Sequence, residues 1–173
     1  MKEVVWVFGN SAAGKETFIN YILENDRSPI LNNLGLHGKK IMKSEVSTEY
    51  IGQYEGDPIT IMRDNLFKEV PSILADADAV LIKWQTVDSE SSRISKLLSL
   101  LPDARHRIIQ VCTSKSDLSK RLPLKSWWRD DDISVFIDEE NIHIQQWIDV
   151  LDGKLPLTKI SGDAGANYSL LKS

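Results

Sequence analysis

Cysteine is nearly absent from this chain. Its 173 residues hold one, Cys112, so no internal disulfide can form. That cysteine sits in the apolar run Ile108-Ile109-Gln110-Val111, the setting of a structural thiol. Histidine is sparse, and His37, His106 and His143 are scattered without zinc spacing. No apolar run approaches the ~20 residues that a bilayer span requires. An excess of positive charge is lacking too. There are 21 basic and 25 acidic residues, a net −4, which argues against a nucleic-acid binder with a broad basic face. The opening Met1-Lys2-Glu3 carries an acid and no signal-like apolar region, and Lys2 excludes myristoylation at position two. The closing Leu170-Leu171-Lys172-Ser173 offers no cysteine for prenylation. A cytoplasmic protein with no membrane anchor and no nucleic-acid partner is therefore expected.

What is present is an ordinary globular balance, 42% apolar and 27% charged, which argues against wholesale disorder. A chain of this length forms one domain, residues 1–173, burying roughly 70% of the surface its unfolded form exposes. Val4-Val5-Trp6-Val7-Phe8 is continuously apolar, the pattern of a strand covered on both faces. Ala79-Val80-Leu81-Ile82 and Ile108 to Cys112 read the same way, and Leu155 to Ile160 more weakly. Tyr50 to Tyr54 and Ile59 to Met62 flank the turn cluster Glu55-Gly56-Asp57-Pro58 and are expected to pair as a hairpin. Helical spacing appears in Phe18, Ile19, Ile22 and Leu23; in Leu66, Val70, Ile73 and Leu74, with an interruption expected at Pro71; in Ile94 to Leu101; and in Ile144, Trp147, Ile148 and Leu151. A last short helix is expected in Asn167 to Lys172. Alternating strands and helices imply an α/β fold of three layers, a mostly parallel central sheet with one antiparallel hairpin strand and helices on both faces.

Gly9-Asn10-Ser11-Ala12-Ala13-Gly14-Lys15 is the strongest motif. It follows the first expected strand and opens the first expected helix, the context of the phosphate-binding loop of P-loop NTPases. Gly9 and Gly14 let the backbone wrap phosphate oxygens and turn N–H groups inward. The following helix adds its positive N-terminal end, and Lys15 a mobile charge for the β- and γ-phosphates. Lys15 is thus the expected catalytic residue, with Gly9 to Lys15, Glu16 and Thr17 binding nucleotide. The pattern calls for Ser or Thr after the lysine, to hold Mg²⁺; here Glu16 stands there, and Thr17, one residue on, points about 100° away. Glu16 offers a carboxylate oxygen to the metal instead.

Later in the chain, Ser114-Lys115-Ser116-Asp117 ends a buried strand and resembles the Asn-Lys-x-Asp guanine-specificity segment of Ras-like small GTPases. The resemblance implies that Asp117 accepts from guanine, that the Lys115 stem lies along the base, and that Ser114 replaces the asparagine. Ala77 to Trp84 looks like that family's central strand. Ile160-Ser161-Gly162-Asp163 resembles its Ser-Ala-Lys segment, which implies that Ser161 and Gly162 reach the guanine oxygen. The likeness spans nearly the whole chain through the order of its motifs. It implies a P-loop NTPase fold, GTP or GDP as ligand and Mg²⁺ as cofactor.

The family's Asp-x-x-Gly is matched only by Asp64, with Phe67 at the glycine and Lys68 at the water-orienting glutamine; by itself Asp64 also reads as the N-cap of the Leu66 helix. Thr48, with Ser47 beside it, stands nearest to the family's first switch threonine. The resemblance implies Glu16, Thr48 and Asp64 as metal ligands and a protein partner on the loops around Thr48 and Asp64. The missing hydroxyl, glycine and glutamine imply slow hydrolysis and a nucleotide-dependent switch. Two other readings remain open. One is a small P-loop kinase using ATP, with Lys120, Arg121, Lys125 and Arg129 as a basic lid. The other is a non-catalytic module that keeps the fold only for protein binding. Trp127-Trp128, beside Asp130 to Asp132, places one tryptophan inside and one at the surface.

Overall fold

The computed structural model describes residues 1–45, 58–83, 102–151, 155–162 and 168–171. Five strands, β1 (Glu3–Phe8), β2 (Ile41–Lys43), β3 (Ala79–Lys83), β4 (Arg105–Cys112) and β5 (Leu157–Ser161), form one sheet in the order β2-β3-β1-β4-β5. Every pairing in it is parallel. The helices are α1 (Lys15–Glu24), α2 (Pro29–Asn33), α3 (Pro58–Asp76), α4 (Lys115–Arg121), which runs into a 3₁₀ turn at Leu122–Leu124, and α5 (Ile133–Leu151).

β1 is wholly buried, as its unbroken apolar run requires. Its side chains alternate between two cores. Val5 and Val7 join Leu81, Ile109 and Val111 beneath α1, α2 and α4. Val4, Trp6 and Phe8 join Val80, Ile82 and Ile108 beneath α3 and the later turns of α5. Each fully buried residue of these cores, such as Phe18 or Leu66, contributes about 2 kcal/mol. Helix α5 takes part in both. Ile137 lies in the first core, Ile144 and Trp147 in the second.

The expected antiparallel hairpin is overturned: β2 is parallel to β3, and Ile59 to Met62 lie in the first turns of α3. Pro58 pre-sets the backbone angle of a first helical residue, and Ile59, Met62 and Leu66 continue the helical spacing of the following stripe. A four-residue run with three apolar residues after a turn cluster fits either element, and length decides for the helix. Tyr50 to Tyr54 lies outside the described residues. Asp64 falls inside α3, so it neither ends a strand nor caps a helix. Pro71 does not interrupt α3; it sits on an exposed face of a continuous helix. Ala79–Lys83 is one place off centre, and β1 holds the middle of the sheet. Strand β2 lies in a stretch with no apolar period and was not expected. In the expected last helix, Leu170 instead forms an antiparallel bridge to Ile160, while Tyr168 packs its ring on Phe18 and Tyr21. The expected helix at Ile94 to Leu101 lies outside the described residues. Among the described residues, no helix is long and apolar enough to cross a membrane.

Candidate functional site: the loop between β1 and α1

The carboxyl end of the central strand opens into the loop from Gly9 to Gly14, the place where an open parallel sheet leaves its ligand crevice. Gly9 has φ 153°. A side chain there would meet the Val111 carbonyl oxygen at 2.6 Å, so only glycine lets the loop start so close to β4. Ala12 holds a positive φ of 66°, and Gly14, the N-cap of α1 at φ 96°, has no side chain to cap the helix's first N–H groups. A helix start left open in this way attracts an anion.

Lys15 is buried, and its ammonium donates to the carbonyls of Gly9 at 2.8 Å and Asn10 at 3.1 Å. The loop's outer strap is held from below. The Thr113 hydroxyl donates to Ala13 O at 2.8 Å, and Arg121 donates to Ala12 O and Ala13 O, both at 3.3 Å, and to Gly162 O at 2.9 Å. Gly162 N–H donates to Cys112 O at 2.7 Å. A Cβ on Gly162 would collide with the Thr113 hydroxyl and lie 2.7 Å from Ala13 O, so its backbone passes directly under the loop.

In front of the loop lies a cavity of about 280 Å³, lined by Ser11 to Thr17, Asn20, Lys83, Lys125 and Trp127. Three lysines from three elements are among the residues lining it: Lys15 from α1, Lys83 from the end of β3, and Lys125 from the segment after α4. Glu16 faces Lys83 at 3.5 Å and is exposed. Trp127 is half exposed at the rim, and its partner Trp128 packs against the first core, as one inside and one outside. Thr113 and Lys83 escape a sequence reading, because nothing in their local pattern sets them apart from ordinary strand-end residues, whereas Arg121 belongs to the expected basic lid. Lys125 belongs to the basic run that the kinase reading uses as a lid. Asp132 caps the start of α5 through Val135 N–H at 3.1 Å, and no group of metal-ligating side chains occurs among the described residues.

The other expected site residues are placed differently. Ser114, Lys115 and Asp117 are not among the described residues lining the cavity. Ser114 is the N-cap of α4, and its hydroxyl accepts from Asp117 N–H at 3.2 Å. Lys115 pairs with Asp138 of α5 at 3.0 Å. Ser161 ends β5 and donates its N–H to Ser169 O at 3.0 Å. Thr48 lies outside the described residues. Among the described residues, the expected metal ligand Glu16 lines the cavity, with Thr17 beside it. Mg²⁺ bound with phosphates takes one or two protein oxygens and otherwise water and phosphate. The Glu16 carboxylate fits that demand, and Lys83 is the cation it would give up.

No protein-family model matches the sequence. No curated protein matches it either. Solved structures do match in shape. A sugar kinase from Janibacter sp. superposes with TM-score 0.54 and 10% identity over 94% of this chain and 86% of the other. Shikimate kinase from Acinetobacter baumannii, in complex with shikimate, gives 0.53 and 13% over 91% and 83%. The tunicamycin resistance protein of Deinococcus radiodurans gives 0.51 and 17% over 89% and 82%. The likeness is one of fold alone, an α/β fold of P-loop NTPase type with a parallel five-stranded sheet. It supports the expected P-loop NTPase fold without singling out the Ras-like family, and the all-parallel pairing corrects the expected antiparallel hairpin strand.

Proposed function

We propose that the protein is a small P-loop phosphotransferase, binding a nucleoside triphosphate at the β1–α1 loop and passing its γ-phosphoryl group to a small hydroxyl-bearing acceptor. The observation that carries this reading is that Lys15, Lys83 and Lys125 line one cavity beside an uncapped helix start. Phosphoryl transfer needs little covalent chemistry from a protein and much charge neutralisation and alignment. In this reading Lys15 leaves its two carbonyls for the β- and γ-phosphate oxygens. Lys125, on the segment between the 3₁₀ turn and α5, covers the transferring group, and Trp127 beside it excludes water. Glu16 would hold Mg²⁺ bound with the nucleotide, where the metal would neutralise phosphate charge. The similarity of shape to a sugar kinase and a shikimate kinase supports a phosphorylated small molecule as product. The guanine reading rests on Ser114, Lys115 and Asp117, where the Ser114 hydroxyl caps α4 and Lys115 pairs with Asp138, so ATP is the donor to try first.

The test is the fate of γ-labelled ATP incubated with the protein, Mg²⁺ and a panel of sugars, sugar acids and alicyclic alcohols. Label in an organic product, lost in Lys15→Ala, supports the reading. Label released only as inorganic phosphate across the panel, or GTP used in preference to ATP, would overturn it.

A further inference from the structure

A carboxylate already occupies part of the phosphate loop. Glu140 of α5 accepts from Ser11 N–H with both oxygens at 3.1 Å, from the Ser11 hydroxyl at 2.5 Å and from Asn10 Nδ2 at 3.4 Å. Its neighbour Asn141 accepts from the same Asn10 amide at 2.9 Å. Asn10 is buried and Ser11 lines the cavity. These two residues lie where α5 passes between the cores, since Ile137 is buried in one and Ile144 and Trp147 in the other. Glu140 and Asn141 fall at i+3 and i+4 from Ile137 and just before Ile144, on the helix's own apolar stripe. An acid on an apolar stripe is costly unless it is hydrogen-bonded, and here the loop supplies the bonds.

We propose that Glu140 is a specificity-determining residue of the anion site: it fixes the first half of the loop through Ser11 and, by its charge, weakens the binding of the more highly phosphorylated ligand. Two donors on the cavity wall, the Ser11 amide and hydroxyl, are turned to this internal anion. A ligand on the remaining amides sits a few ångströms from a fixed negative charge, and each added phosphate charge is repelled more. Asp138 and Glu139 precede it, and Asp138 is engaged with Lys115. Because α5 begins just beyond Lys125 and Trp127, the same helix ties the loop to the segment covering it. The inference rests on the proposed phosphate site but not on the acceptor or on transfer.

The test is calorimetric titration of pyrophosphate and tripolyphosphate into the wild type, Glu140→Gln and Glu140→Asp. Gln keeps an acceptor for Ser11 and removes the charge, and its fold is checked by thermal unfolding. Glu140→Gln should bind tripolyphosphate about five- to tenfold more tightly, gain less for pyrophosphate, and lose the gain near 1 M salt, where charges are screened within ~3 Å. Glu140→Asp should stay near wild type. Equal or weaker binding in a folded Glu140→Gln, or an equal gain for both polyphosphates, would overturn the proposal, as would no binding by either protein. Phosphoryl transfer with no such gain would leave the phosphotransferase reading standing without this one. The gain without transfer to any acceptor would do the reverse.

Discussion

Two strand-to-helix junctions of this protein look alike in sequence and differ in what they leave undone. Gly9 to Lys15 joins β1 to α1, and Thr113 to Lys115 joins β4 to α4. Both put small polar residues and a lysine at a helix start. At the second, Ser114 folds its own hydroxyl onto Asp117 N–H, and Lys115 is paired with Asp138, so the junction satisfies itself. At the first, Gly14 supplies no cap, and the first amides of α1 face a cavity holding three lysines. In the proposed reading the open junction is the one that takes the ligand. A helix start completed by its own side chains carries no such signal.

The comparison is broken most severely by Lys15→Ala. Losing a charge-assisted contact of about 3 kcal/mol should weaken nucleoside triphosphate binding about 100-fold, measured by calorimetry, and an unchanged affinity would deny the open junction its role. Gly162→Ala attacks the loop's underside. Forcing a methyl against Thr113 and Ala13 O should cost about 2 kcal/mol in urea unfolding, with affinity falling as the strap shifts. A variant as stable as wild type would show that the loop does not need that close approach. Ser114→Ala should cost about 1 kcal/mol through the lost cap and leave nucleotide affinity unchanged. The smallest effect concerns Tyr168, whose phenol is pushed above its usual range mainly by burial, against a weaker opposing pull from Arg121. The folded state therefore favours the neutral phenol. Its contribution is present below pH ~10 and is lost as pH rises further toward the raised folded value. Tyr168→Phe should lose less stability than wild type over that alkaline window, and parallel curves would contradict this.

Much of the sheet is legible in the sequence because burial on two faces demands unbroken apolar runs. That is why β1, β3 and β4 stand out, while the three-residue edge strand β2 does not. The phosphate loop is legible for a similar reason: at Gly9 and Gly14 the backbone itself excludes other residues. Ser114 to Asp117 reads two ways because the side chains that read a base are also those that start a helix. Ile59 to Met62 misleads because a short apolar run has no period of its own, and only the continuation through Leu66 to Leu74 decides it. Lys83 reaches the site through topology, which local pattern does not encode, while Lys125 stands out through its basic run. Glu140 did leave a mark, an acid and an amide interrupting the stripe from Ile137 to Ile144.

The contrast between the two junctions is tested most directly by titrating ATP and GTP into the wild type, Lys15→Ala and Asp117→Ala. The account predicts that ATP and GTP bind the wild type within about threefold of each other, that Lys15→Ala loses both by about 100-fold, and that Asp117→Ala binds both as the wild type does. A guanine preference of about tenfold or more that disappears in Asp117→Ala would contradict it, and would make the β4–α4 junction a base-reading site after all.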